Sequence, residues 1–74
     1  MSPRQPIVNA KQLIKVLIKK GFTLDRQKGS HAIYIRDNVR VTIPVHGKKE
    51  LSIGVLNQIL ADAKISFDEL RTLL

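Results

Sequence analysis

Apolar residues recur with a helical period near the start of the chain. In "NAKQLIKVLIKKGF" the apolar side chains have the spacing of one helix face, at Ala10, Leu13, Ile14, Leu17 and Ile18. Asn9 and Gln12 have the spacing of a capping box, and Gly21 favours the left-handed conformation that ends a helix. The pattern predicts a helix between these residues, with Phe22 folded back onto it.

From Phe22 onward the apolar positions alternate, which is the period of a strand. The pair Gly29-Ser30 fits a two-residue type II′ turn, which pairs Lys28 with His31 and Leu24 with Ile35. This register divides the side chains between two faces of a sheet. The predicted helix-facing set is Phe22, Leu24, Ile33 and Ile35, and the predicted outward set is Asp25, Gln27, Ala32, Tyr34 and Arg36.

The second hairpin admits two loop lengths. A two-residue loop starting at Asp37 would set Ile35 opposite Arg40 and turn the valines of the third strand away from the helices. A three-residue loop ending at a left-handed Asn38 sets Ile35 opposite Val39 instead. The longer loop keeps the apolar residues on the face already chosen, so it is the prediction.

Two further helices are expected after the strands. Ser52 is the expected N-cap of the first, whose apolar stripe is Leu56, Ile59, Leu60 and Ala63 and whose end lies near Lys64. Ser66 and Glu69 repeat the capping-box spacing and start a short terminal helix. Its expected apolar contacts are Phe67, Leu70, Leu73 and Leu74.

The element order defines the fold class. Pro44 cannot donate a hydrogen bond to a strand ladder, so the third strand is expected to be an edge strand or to end near this residue. Helix, three antiparallel strands, helix and short helix together predict an α+β fold. We expect a single domain over residues 1–74, with residues 1–7 disordered.

Charge is distributed unevenly along the chain. The net charge is +7, from 13 basic and 6 acidic residues, and almost all of the basic residues precede Glu50. A strongly basic segment favours a polyanionic partner, although a solvated surface explains the composition equally well. Lys11, Lys15 and Lys19 follow one another at i+4 spacing, as a phosphate-facing stripe or as a solubilising helix face.

Composition also narrows the class of protein. The chain has no cysteine, and its two histidines, His31 and His46, lie fifteen residues apart, so no metal ion or other cofactor is expected. No apolar run is long enough for a signal peptide or a membrane span. We therefore expect a cytoplasmic protein without a membrane partner.

His31 lies in "KGSHAIY", directly after the predicted turn. The predicted register sets it half sheltered on the helix-facing side of the second strand, beside Lys28 and opposite Ile43. Histidine exchanges protons near neutral pH, which suits acid–base catalysis. A lone histidine is nevertheless more often a packing residue, so the residues alone leave both interpretations open.

Several segments together resemble the HicA family of toxin ribonucleases. They are "KKGF", "KGSHAIY", "VTIP" with the following His-Gly-Lys-Lys loop, and "LSIGVLNQILADAKIS", covering about residues 10–70. The resemblance implies a fold like a double-stranded-RNA-binding domain, endoribonuclease activity on mRNA (an mRNA interferase), and a HicB-type antitoxin as partner. It also implies that His31 of the motif Gly29-Ser30-His31 is catalytic. Family members often have glycine where this chain has Lys64.

The expected chemistry uses the 2′-hydroxyl of RNA as the nucleophile, so proton transfer and charge stabilisation suffice. His31 would act as general acid or base. Lys28, Lys48 and Lys49 would neutralise phosphates, with Ser30 as a hydrogen-bond donor.

Other candidates near this motif have less defined roles. Gly29 would permit close approach of the substrate to the backbone. His46 is either a second acid–base group or a phosphate contact, and the second role is favoured. Asp37 and Glu50 are interpreted as solvated turn charges. The alternative function is a non-catalytic RNA-binding module, in which Tyr34 on the exposed sheet face would stack on a base.

Overall fold

The computed structural model describes residues 7–47 and 49–74, and within them the chain forms three helices and one three-stranded antiparallel sheet of order β1-β2-β3. The elements are α1 (Ala10–Lys19), β1 (Thr23–Lys28), β2 (His31–Arg36), β3 (Val39–Pro44), α2 (Ile53–Ala63) and α3 (Phe67–Leu73). The predicted α+β class and element order are confirmed. The predicted disorder of residues 1–7 lies, except for Ile7, outside the described residues.

Local capping residues fix both ends of α1. The Asn9 side chain accepts a hydrogen bond from the Gln12 N–H, and the Gln12 side chain accepts one from the Asn9 N–H, both at 2.9 Å. After the helix, Gly21 has a φ of 92°, and the Phe22 N–H donates to the Leu17 carbonyl at 2.9 Å. This is a Schellman ending, which buries the Phe22 side chain against the core.

Ala10, Leu13 and Leu17 of α1 are buried as predicted, but one side of the buried face differs from the prediction. Val16 is fully buried, whereas Ile18 is 56% exposed. Because α1 carries apolar side chains around much of its circumference, the helical period alone did not distinguish these two neighbouring stripes.

The predicted start and end of α2 and the predicted start of α3 are confirmed. The Ser52 hydroxyl accepts the Val55 N–H at 3.3 Å, and α2 ends at Lys64, whose φ of 60° is left-handed. A non-glycine residue in this conformation costs about 1–2 kcal/mol. Ser66 and Glu69 form the reciprocal capping box that starts α3.

The end of α1 packs against α3, away from the turn that carries His31. The Lys20 ammonium lies 2.5 Å from the Glu69 carboxylate and lowers the pKa of that carboxyl group. A lowered pKa in the folded state means that this pair's stabilisation is lost as the pH falls through that pKa. The Lys19 ammonium donates to the Leu73 carbonyl at 2.7 Å, so Lys19 is engaged at this end of the molecule.

The first hairpin has the predicted turn but not the predicted register throughout. Lys28 pairs with His31 across the Gly29-Ser30 turn, and the φ of Gly29 is 56°. The prediction that Leu24 faces Ile35 is wrong. A bulge between residues 24 and 26 shifts the register, so that Leu24 pairs with Tyr34.

The prediction of a three-residue second loop is also wrong. Arg36 pairs directly with Val39, which leaves a two-residue loop, and Asp37 adopts a left-handed φ of 53°. The prediction that β3 ends near Pro44 at an edge of the sheet is confirmed.

The side chains of β2 face the opposite way from the prediction, whereas Phe22, Val41 and Ile43 are buried as predicted. Ala32 and Tyr34 are buried, while Ile33 and Ile35 are half-buried on the side of the sheet opposite the core. The shorter loop sets Tyr34 opposite Val41, so the buried side chains of β2 and β3 share one face. We call the other side of the sheet the open face.

Tyr34 is therefore a core residue, and we expect Tyr34→Ala to reduce the free energy of unfolding by about 3–5 kcal/mol, as truncation of a buried aromatic residue does. Its side chain is only 7% exposed. Tyr34→Phe keeps the ring and should preserve most of the stability. Denaturant titration of both variants tests this. Unchanged stability of Tyr34→Ala would contradict the core assignment.

Candidate active site

Three segments meet at one end of the sheet. The Val45 N–H donates to the Ser30 carbonyl at 2.6 Å, which joins the segment after β3 to the first turn. The Leu51 N–H donates to the Val8 carbonyl at 2.9 Å, and Glu50 forms an isolated antiparallel bridge with Asn9. The β1–β2 turn, the loop before α2 and the start of α1 are thus held together by main-chain contacts.

His31 is the first residue of β2 and is exposed on the open face. The prediction that it faces the helices opposite Ile43 is wrong: its cross-strand partner is Pro44. The two-residue second loop moves β3 by one position, and this brings Ile43 opposite the buried Ala32. The imidazole is consequently accessible to a large substrate.

Lys28 is the direct neighbour of His31 on the adjacent strand. Cβ atoms of directly opposed residues in an antiparallel pair lie about 4.5–5.5 Å apart, so the ammonium of the exposed Lys28 can reach a group bound at the imidazole. This pair sets a proton-transfer group next to a positive charge, both exposed at one end of the sheet. The predicted cross-strand pairing of Lys28 with His31 is confirmed.

The Gly29-Ser30 turn is exposed. A Cβ atom at Gly29 would meet no atom within 4 Å, so glycine is favoured there by the positive φ and not by crowding. The Ser30 carbonyl is occupied by the Val45 N–H. The turn therefore offers an open surface on which a phosphate can approach the backbone.

The loop after β3 adds further charge beside this turn. His46 and Lys49 are exposed, and the Lys49 N–H donates to the His46 carbonyl at 3.1 Å. Together with Glu50 they line a pocket of about 260 Å³ that also includes Pro44, the partner of His31. Lys48, the other predicted phosphate contact in this loop, lies outside the described residues.

Other predicted candidates lie elsewhere. The prediction that Tyr34 lies on the exposed sheet face is wrong, because its side chain is in the core. Lys11 and Lys15 line a separate cleft of about 580 Å³ between α1 and the loop. Asp37 lies in the turn between β2 and β3, at the opposite end of the strands from Glu50. These two carboxylates therefore do not form a catalytic pair.

Sequence reasoning missed the cationic residues of the open face. Arg26 pairs with Ile33, and Arg40 pairs with Ile35, so both arginines are on the same side of the sheet as His31. A two-residue second loop, read from the same alternation, sets Arg40 opposite Ile35 and so places Arg40 beside Arg26 on this side of the sheet.

Across residues 7–47 and 49–74, no three His, Cys, Asp or Glu side chains are grouped closely enough to hold a metal ion. None of the helices in this part of the chain combines the length and the apolar character needed to cross a membrane.

The fold and the site define a small α+β protein with an exposed histidine on a basic hairpin turn. The family described as the HicA toxin of bacterial toxin–antitoxin systems matches residues 10–65, and the chain belongs to this family. The predicted resemblance is confirmed, and the helix–sheet–helix order agrees with the double-stranded-RNA-binding-domain-like fold expected of the family. No curated protein matches the chain.

Proposed function

We propose that this toxin is an endoribonuclease that cleaves mRNA and that His31 is its catalytic residue. The observation that carries this proposal is the exposed cross-strand pair of His31 and Lys28, next to the Gly29-Ser30 turn, within the segment that matches the family. An exposed imidazole beside a cation is suited to a phosphodiester, which is bulky and negatively charged.

The proposed reaction is an internal transesterification. The 2′-hydroxyl oxygen attacks the adjacent phosphorus as its proton is withdrawn, and the bond from phosphorus to the 5′ oxygen breaks. The products are a 2′,3′-cyclic phosphate and a 5′-hydroxyl, which takes up a proton. His31 serves as general acid or base in this sequence, and Lys28 stabilises the negative charge that develops on the phosphoryl oxygens.

The surrounding residues have supporting roles in this proposal. Ser30 is a hydrogen-bond donor to the substrate, and Gly29 allows the strand to lie close to the turn. Lys49 neutralises a phosphate, as does Lys48, whose role rests on the sequence alone. The favoured role of His46 is a phosphate contact, because it lies beside Lys49 in the same exposed loop.

The non-catalytic RNA-binding module is the weaker candidate. Its specific support was a base-stacking role for Tyr34, and that side chain is buried on the opposite side of the sheet from His31. A module that only binds RNA also gives no reason for an exposed histidine paired with Lys28.

A HicB-type antitoxin is the proposed protein partner. A basic edge formed by Lys28, His31 and Lys49 is complementary to an acidic protein surface, and charge complementarity speeds association at low salt. A partner seated on this edge would exclude RNA by direct competition. We propose that inhibition works by covering His31.

Adding a HicB-type antitoxin to the toxin during cleavage of a labelled RNA tests this arrangement. We expect cleavage to stop, with slower amide hydrogen exchange in the Gly29-Ser30 turn and the loop of residues 45–51. The segment of α3, at the other end of α1, serves as an internal control that should not change. Inhibition without protection of the turn or the loop would overturn direct occlusion.

A further inference from the structure

The open face presents three cross-strand rows of side chains. The first row contains Lys28, His31 and Pro44, the second Arg26, Ile33 and Thr42, and the third Thr23, Ile35 and Arg40. A cation thus stands in every row, beside half-buried isoleucines in the second and third. The catalytic histidine proposed above lies at one end of a basic, partly apolar surface.

A second pocket lies at the far end of these rows. It measures about 370 Å³, and its lining includes Ile35, Arg26, Arg40, Asp25 and Asp37. The Arg26 Nε lies 3.3 Å from the Asp25 carboxylate, which orients the guanidinium group. The pocket therefore combines an apolar side chain, two planar cations and two carboxylates.

The composition of this pocket identifies the kind of ligand that it suits. The carboxylates of Asp25 and Asp37 offset the positive charge of Arg26 and Arg40. A phosphate or an acidic protein surface would therefore gain little electrostatic binding energy in this pocket. A nucleobase is neutral, stacks on guanidinium planes and apolar side chains, and hydrogen-bonds along its edges. Carboxylates accept hydrogen bonds from the amino groups of bases.

The distance to His31 sets the position of such a base. Ile35 lies four residues after His31 on β2, which corresponds to about 13 Å at about 3.3 Å per residue. A nucleic acid strand with stacked bases advances about 3.4 Å per nucleotide, so this distance spans about four nucleotides when the nucleotides before the pocket stay stacked and only the base in the pocket leaves the stack.

We propose that the open face of the sheet binds single-stranded RNA and that the Ile35–Arg40 pocket holds a nucleobase about four nucleotides from the scissile phosphate. This inference rests on the proposed ribonuclease function, because the position is counted from His31. A single strand is required, since only an unpaired base can leave its stack and present its edge to Asp25 and Asp37. The pocket is thus a subsite that influences which RNA sequences are cut.

Binding measurements on His31→Ala, which is expected to bind RNA without cutting it, test the subsite. The probe is a single-stranded RNA of about twelve nucleotides around a mapped cleavage position, and a set of these RNAs carries one abasic nucleotide at each position in turn. Arg40→Gln in this background should weaken binding of the intact RNA about tenfold. One abasic position about four nucleotides from the cleavage position should give a similar loss, and the two losses should not add.

Arg71→Gln in the same background is the matched control, because it removes the same charge from an exposed position on α3, outside the open face. It should change RNA affinity less than twofold. The subsite would be overturned if Arg40→Gln and Arg71→Gln lowered RNA affinity equally. It would also be overturned if the affinity loss of Arg40→Gln added fully to the loss at every abasic position. Loss of antitoxin binding with unchanged RNA binding in Arg40→Gln would instead identify a protein interface and also overturn it.

These outcomes are distinct from failure of the proposed function. If wild-type protein cuts RNA but Arg40→Gln and the abasic nucleotide do not give the expected non-additive losses of affinity, the proposed function stands and the subsite is wrong. If wild-type protein cuts no RNA, the ribonuclease proposal is wrong, and the subsite position, which is counted from the cleavage point, fails with it.

Discussion

His31→Ala is expected to lower the rate of RNA cleavage by about 10²–10⁴-fold, which is the usual contribution of a general acid or base. The fold should persist, because the side chain is exposed and exposed substitutions usually change stability by no more than about 0.5 kcal/mol. Initial cleavage rates of the purified proteins, with a thermal unfolding curve for each, measure both effects. Growth arrest after induced expression should disappear together with cleavage.

His46→Ala is the matched control for this experiment. It removes the chain's other imidazole, which is also exposed, from the neighbouring loop. We expect a less than tenfold loss of rate, expressed mainly as weaker RNA binding, because a phosphate contact acts on affinity. Unchanged cleavage and toxicity of His31→Ala at equal protein level would remove His31 from the catalytic role. A loss in His46→Ala as large as that in His31→Ala would indicate a two-histidine mechanism.

A substrate with one 2′-deoxy sugar on the 5′ side of the scissile phosphate should bind normally and resist cutting. The missing hydroxyl is the proposed nucleophile, so no internal attack can occur at that phosphate. The control substrate carries the 2′-deoxy sugar one nucleotide further away and should be cut at the original position. Comparing product formation from the two RNAs at saturating enzyme separates chemistry from binding. Cleavage of the first substrate at the original position would contradict the 2′-hydroxyl mechanism.

Features that depend on a few neighbouring residues were predictable from the sequence. The Asn9–Gln12 and Ser66–Glu69 capping boxes, and the turn at Gly29, all form as expected. Each requires particular residue types at fixed short spacings, so the physical signal is contained within four residues of the chain.

The orientation of β2 was not predictable in the same way. Strand β2 has apolar residues on both sides, with Ala32 and Tyr34 inside and Ile33 and Ile35 on the open face. Alternation shows that two faces exist but does not identify the buried one when both are apolar. The bulge after Leu24 and the two-residue second loop are small differences in local backbone geometry, and packing against the core determines which geometry forms.

The errors in the predicted sheet changed the expected positions of some site residues and left others correct. The pairing of Lys28 with His31 depends only on the turn between them, so it was predicted correctly although the face was wrong. The position of Tyr34 depends on the face, and its proposed stacking role was lost. Arg26 was not recognised because its side of β1 was assigned to the core. Arg40 was not recognised because the predicted longer loop set it on the side of the sheet opposite His31.

Identification of the product ends is the most direct test of RNA cleavage through the 2′-hydroxyl. Purified toxin is incubated with an all-ribose RNA in the presence of a chelator, and the products are analysed by mass spectrometry. We predict unimpaired cleavage, with a 2′,3′-cyclic phosphate or its hydrolysis product on the upstream fragment and a 5′-hydroxyl on the downstream fragment. Products ending in a 3′-hydroxyl and a 5′-phosphate, or loss of cleavage with chelator, would contradict the mechanism.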